Sequence, residues 1–150
     1  KNEVEYFRKL IGYNSNLISK IESLDGITHL DGIIDCSNEI LIDRGDLSRQ
    51  VPIEKIPFVQ RGIISIARSK KIDVFVATNL LESMNHNIIP TRAEVNDVAS
   101  TLIMGANGLV LAAETAIGNN PVQSVQMIKS MIKEYTKWKE NSSLDGILNS

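Results

Sequence analysis

Four short apolar runs punctuate the chain, each closed by a polar or glycine-containing loop: Asn16–Glu22 (NLISKIE), Glu39–Asp43 (EILID), Asp73–Thr78 (DVFVAT) and Gly108–Ala113 (GLVLAA). Their brevity and their content of leucine and β-branched residues predict strands. Between and after them, apolar residues recur every three or four positions, the stripe of a helix packed on one side. One such stretch covers Ile53 to Lys70, with Ile56, Val59, Ile63, Ile66 and Ala67 on a single face and Pro57 in the first turn, where its missing N–H costs little. A second opens on Thr91-Arg92-Ala93-Glu94, a capping box, turns Val95, Val98, Ala99, Leu102 and Ile103 inward, and stops at Gly105. A third, Pro121 to about Trp138, carries Val122, Val125, Ile128, Ile132 and Tyr135 on its inner side. Shorter amphipathic pieces cover Val4 to Ile11 and Leu24 to Ile34.

The order α-β-α-β-α-β-α-β-α, with continuously apolar strands, predicts a parallel sheet covered by helices. Strands that begin at 39, 73 and 108 lie 34 and 35 residues apart, the length of a βαβ unit. After Lys139 the chain turns polar, so residues 1–139 read as the folded domain and 140–150 as a tail or linker.

Composition narrows the function. In 150 residues, 43% hydrophobic and 23% charged content is that of a globular domain. A net charge of −2 and 5% aromatic residues, with no basic stripe, argue against nucleic acid. No apolar run nears the ~20 residues that a membrane-spanning helix needs. The single cysteine, Cys36, has no internal partner and no metal-ligand spacing, which makes a reducing cytoplasm the simplest compartment. The chain begins with Lys1 and no leader pattern follows, so it reads as a piece of a longer protein.

In parallel α/β folds, ligands gather at the carboxyl ends of strands. Those ends carry Lys20 and Glu22, then Arg44, Gly45 and Asp46, then Thr78 and Asn79, then Glu114 and Thr115. Lys20 and Glu22 stand two apart in a strand, so they share a face opposite Ser19 and Ile21. Such a charged pair either meets a ligand, a metal or a partner, or lies where the strand has already ended in solvent. Gly45 offers a backbone conformation closed to other residues and lets amides approach an anion. Glu22 and Asp46 with a nearby lysine suit a hard divalent cation and a phosphate-bearing substrate. His29 and His86 are isolated from other metal-ligand types, Met84, Met104, Met127 and Met131 fit core gaps, and no phosphate-binding glycine motif occurs.

Together, four ordered motifs resemble the pyruvate kinase family: LISKIES, DRGDL, VFVATNLLESM with PTRAEVNDVA, and LVLAAETAIGNNPVQSV. The resemblance implies a TIM-type (β/α)8 barrel of which this chain supplies strands five to eight, a half barrel completed by the parent chain or a partner. It implies phosphoryl transfer from phosphoenolpyruvate to ADP, giving pyruvate and ATP, in a glycolytic, cytoplasmic homo-oligomer. Under it, Lys20 neutralises charge on the phosphoryl group and the enolate, and Glu22 and Asp46 ligate Mg²⁺ or Mn²⁺. The amides around Arg44, Gly45 and Asp46, with the Thr78 hydroxyl, hold the substrate carboxylate, and K⁺ takes its ligands outside this chain. The isolated 150 residues are then expected to be inactive.

Departures from the family pattern are Asp43 in place of alanine, Asn79 in place of glutamine, Ala112-Ala113 in place of Ser-Gly, and Ile117 in place of a frequent lysine. They leave two alternatives open: a metal-dependent enolate or aldol-type lyase acting on 2-keto acids, or an inactive barrel half serving regulation or assembly. Asp43 sets a carboxylate beside a loop assigned to an anionic substrate, which predicts weakened affinity.

Overall fold

The computed structural model describes residues 2–148. They divide into two compact units, one formed by the chain up to Thr78 plus Met104–Val110, the other by Asn79–Ile103 plus the chain from Leu111 onward.

The first unit holds the sheet. Strands β1 (Ile18–Ile21), β2 (Glu39–Asp43), β3 (Asp73–Ala77) and β4 (Gly108–Val110) are ordered β1-β2-β3-β4. Every neighbouring pair is parallel. All four predicted runs are therefore strands of one parallel sheet, though β1, β3 and β4 are shorter than their apolar runs. Ile21, Ile40, Ile42, Val74 and Val76 are each fully buried on one face of this sheet. They pack in a single cluster with Leu30, Ile33 and Ile34 of α3 (Leu30–Ile34) and with Ile63, Ile64 and Ala67 of α5 (Ile56–Ser69). Pro57 sits in the first turn of α5, as expected, behind a 3₁₀ turn at Ile53–Lys55.

The opposite face is open. There the register aligns Lys20, Leu41, Phe75 and Gly108, and Ile18, two residues before Lys20, is 48% exposed. Phe75 lies over Gly108, where an added Cβ would come within 2.4 Å of its ring. The expectation of a sheet covered by helices thus holds for one face of this unit and not for the other.

An asparagine one residue before a strand pins the sheet at two places. Asn38 exchanges hydrogen bonds with both backbone groups of Leu17, and Asn107 does the same with Val74. Arg8 of α1 (Asn2–Ile11), 6% exposed, ties the first of these down by donating to Asn38 Oδ1 and to the carbonyls of Cys36, Gly12 and Ser15.

Leu24 to Ile34 departs from expectation. It forms two five-residue helices, α2 (Leu24–Thr28) and α3, broken at His29. Each contains a glycine, Gly26 or Gly32, which lowers helix propensity too far for the pair to run on as one. His29 is left exposed at the break.

In the second unit, α6 (Arg92–Met104, all but its last residue) opens on the predicted capping box. Glu94 N–H donates to Thr91 Oγ1 at 3.2 Å, and the Glu94 carboxylate accepts from the Thr91 amide at 2.7 Å. The same carboxylate accepts from the Ser83 amide at 2.7 Å and the Ser83 hydroxyl at 2.6 Å, which fastens the 3₁₀ turn Glu82–Asn85 to the helix start. Burial pushes the Glu94 carboxyl up, but the Ser83 and Thr91 donors outweigh it and hold the group below the usual carboxylate range. Replacing Glu94 with alanine is therefore expected to cost about 2 kcal/mol, measured by denaturant unfolding. Because the folded form binds its proton more weakly than the unfolded form does, the gap from wild type should be full at neutral pH and close as pH falls through the carboxylate range.

Of the residues expected to face inward from α6, Val98 and Leu102 are buried while Ile103 is 52% exposed. The helix stops where predicted, before Gly105 at φ +104°. In α8 (Pro121–Glu140) the predicted stripe largely fails, since Ile128 is buried but Val122, Val125 and Ile132 are exposed. Among the described residues no packed layer covers that side of the helix. The segment read as a polar tail carries a five-residue helix, α9 (Leu144–Leu148), and residues 149–150 lie outside the described residues. None of the described helices is long and apolar enough to cross a membrane.

Candidate functional site

Every residue named as a candidate for catalysis, substrate or metal lies in the first unit, at the carboxyl ends of β1, β2 and β3. Lys20 is the third residue of β1, and Glu22 follows the strand's last residue. The chain leaves β2 at Asp43 and turns at once into α4 (Arg44–Leu47), a single turn that brings Gly45 and Asp46 back over the strand end. Thr78 follows the last residue of β3.

The Lys20 ammonium is the centre of the cluster. Nζ lies 2.7 Å from Glu22 Oε2, 2.7 Å from Asp43 Oδ2 and 3.2 Å from Asp46 Oδ2. The hydrogen bond to Asp43, then the one to Glu22, push the Lys20 pKa above its ordinary value, so the group is cationic at any physiological pH. The charged pair on one face of β1 is thus neither alone nor merely solvated: it meets two aspartates from the neighbouring strand end. One ammonium faces three carboxylates, which leaves the cluster net negative.

Oxygen atoms of Glu22, Asp43 and Asp46 all lie within 4.8 Å of one another. Three hard carboxylate donors at that spacing, in a net-negative corner, suit a divalent cation of the Mg²⁺ or Mn²⁺ type. Glu22 and Asp46, the pair expected to hold the metal, are two of these three. The third carboxylate, Asp43, did not figure in the expected ligand pair.

Asp43 is the most buried of the three, with 6% of its surface exposed. Its Oδ1 accepts from the Gly45 amide at 3.1 Å, the Asp46 amide at 3.2 Å and the Thr78 hydroxyl at 3.1 Å. It is the N-cap of α4, the use to which aspartate is best suited. Burial pushes its carboxyl up, but Lys20, the Asp46 amide and Thr78 together bring it below the ordinary value, so it is ionised. The signal for this arrangement was present in Asp43-Arg44-Gly45-Asp46, an aspartate two and three residues before the amides it caps.

One expectation about this loop changes. Gly45 is not in a left-handed conformation; the positive-φ glycines among the described residues are Gly12 and Gly105. Its need is space, since an added Cβ would stand 3.3 Å from Thr78 Oγ1 and 3.4 Å from Asp43 Oδ1. The unusual backbone belongs to Thr78 and Asn79, at φ +69° and +54°. For a β-branched residue that conformation is strained and needs support. Arg44 supplies it, with Nε and Nη2 donating to the Thr78 carbonyl at 3.1 and 2.7 Å. These contacts make the Arg44 side chain a clamp on Thr78, while the part expected of this loop in holding substrate falls to its amides.

The remaining strand-end candidates belong to the second unit. Glu114, in α7 (Ala113–Ala116), is 1% exposed and accepts from the Leu81 amide at 3.0 Å and the Ala112 amide at 2.9 Å, so it tethers backbone. Asn79 donates to Glu82 at 2.7 Å.

Residues 1–125 match the family model described as pyruvate kinase, barrel domain. The chain belongs to the pyruvate kinase family. It is 43% identical over 121 residues to a pyruvate kinase of Thermotoga maritima, an alignment covering 81% of this chain and 26% of that protein. It is 39% identical over 130 residues to the chloroplastic pyruvate kinase isozyme G of Ricinus communis, covering 87% and 31% respectively. With a pyruvate kinase of Methylorubrum extorquens the identity is 41% over 123 residues, covering 82% and 26%. The chain therefore spans about a quarter to a third of the length of these curated relatives. The parallel α/β sheet is that of the pyruvate kinase barrel domain.

Proposed function

We propose that this chain is strands five to eight of a pyruvate-kinase-type (β/α)8 barrel, residues 1–139 forming that half and 140–150 leading away from it. The other half comes from the parent chain or a partner. In the completed barrel it contributes Lys20, Glu22, Asp46 and Thr78 to metal-dependent phosphoryl transfer from phosphoenolpyruvate to ADP.

The observation that carries this reading is one ammonium held 2.7–3.2 Å from three carboxylates at adjacent strand ends. Phosphoryl transfer is catalysed mainly by positioning and by cations placed where negative charge spreads. Lys20 supplies a fixed cation on the open face of the sheet. Glu22 and Asp46 would hold Mg²⁺ or Mn²⁺, which when bound supplies further positive charge to the phosphoryl and enolate oxygens. Thr78 presents its hydroxyl next to the Gly45 amide, 2.7 Å away. The K⁺ that the family resemblance implies would take its ligands outside this chain.

The test is an assay of the full-length protein with phosphoenolpyruvate, ADP and Mg²⁺. Pyruvate and ATP should form in equal amounts, dependent on all three. Aldehyde release from a 2-keto acid without ADP would point instead to a lyase, and no turnover at all to a barrel half retained for assembly or regulation; either result would overturn the proposal.

A further inference from the structure

Four donors converge on Asp43. Its Oδ1 takes the Gly45 and Asp46 amides and the Thr78 hydroxyl, at 3.1, 3.2 and 3.1 Å, and its Oδ2 takes the Lys20 ammonium at 2.7 Å. This is the donor set that a small carboxylate ligand would seek at the same place, two backbone amides, a hydroxyl and an ammonium. A carboxylate already attached to the chain has the advantage over a free one, because holding it there costs little further translational freedom. The corner also has little slack, since Gly45 and Thr78 approach so closely that even a methyl group on Gly45 would touch the Thr78 hydroxyl.

We propose that the Asp43 carboxylate is a built-in occupant of the anion-binding corner formed by Gly45, Asp46, Thr78 and Lys20, so that a small carboxylate ligand binds there only by displacing it. The inference rests on the reading of the site under Proposed function and adds the residue that sets its affinity. Asp43 works in two ways. It fills the donors, and its negative charge repels a second carboxylate brought alongside. Lys20 is shared between this occupant and the metal-type carboxylates Glu22 and Asp46, so displacing Asp43 also releases the ammonium toward the ligand.

Two substitutions separate filling from repulsion. Asp43→Ala empties the corner, whereas Asp43→Asn removes the charge but keeps an oxygen that can accept from the same two amides. Asp43→Gly, well tolerated at a helix cap, makes the same test as alanine should that variant fail to fold. Oxalate is the probe, titrated calorimetrically into the full-length protein with and without saturating Mn²⁺, with Mn²⁺ binding measured separately. Emptying the corner should tighten oxalate binding at least tenfold, and Asp43→Asn should gain less. Unchanged or weaker oxalate binding by the emptied variants would overturn the proposal, as would an equal gain from Asp43→Asn. Mn²⁺ binding with no gain for oxalate would overturn this proposal alone. A gain for oxalate in a protein that binds no Mn²⁺ would support it and overturn the phosphotransfer reading alone.

Discussion

Replacing Lys20 with alanine in the full-length protein should lower kcat for pyruvate formation by about 10²–10³-fold, the loss typical of removing one charge-stabilising donor from a catalytic site. The ammonium is bonded to Glu22, Asp43 and Asp46 at once. It also stands 47% exposed on the sheet's open face, within reach of a ligand arriving there. That exposure separates catalysis from folding. Partly solvated ion pairs contribute little to stability, and Asp43 keeps its two amides and the Thr78 hydroxyl without Lys20, so the melting temperature should move by only a few degrees. Lys20→Arg retains the charge but spreads it over a planar fork that does not match three carboxylates around one point, and should recover only part of the rate. Turnover unchanged in Lys20→Ala would show that the ammonium serves the cluster and not the reaction.

Most of the fold was legible because strand apolarity and helix periodicity report burial directly. β2 matches its predicted bounds at both ends, and Ile40, Ile42, Val74 and Val76 are the buried core that the runs implied. Legibility fell where burial depends on something besides the local pattern. Val122, Val125 and Ile132 have the spacing of an inner helix face but stay exposed, since periodicity names a face without naming what covers it. At the site, strand ends and charge pointed to Lys20, Glu22 and Asp46. What charge counting could not give was direction. Asp43 read as a carboxylate set beside the loop, and its charge alone did not reveal that it caps the Gly45 and Asp46 amides. Nor could sequence show that the strained backbone sits at Thr78, because a β-branched residue at positive φ runs against every local preference.

That difference between the two aspartates leads to a second large effect, in metal affinity. Asp43 Oδ1 already accepts three hydrogen bonds and Oδ2 a fourth, from Lys20, so each oxygen is committed to a protein donor. Asp46 is held more loosely, with Lys20 at 3.2 Å on one oxygen and Arg49 at 3.6 Å on the other, and the Arg49 side chain is 82% exposed. A cation approaching from the open face therefore finds Asp46 and Glu22 able to turn toward it, while Asp43 must first give up its cap. Asp46→Asn is accordingly expected to weaken Mn²⁺ binding by about 100-fold, beyond what loss of an outer-shell partner usually costs, and Glu22→Gln by a similar factor. Asp43→Asn keeps the cap acceptor and should change Mn²⁺ affinity less than tenfold. Titrating Mn²⁺ into the three full-length variants by calorimetry or electron paramagnetic resonance gives the ranking. Equal losses at Asp43 and Asp46 would mean that Asp43 leaves its amides to bind the ion, in which case all three carboxylates that lie within 4.8 Å of one another are ligands.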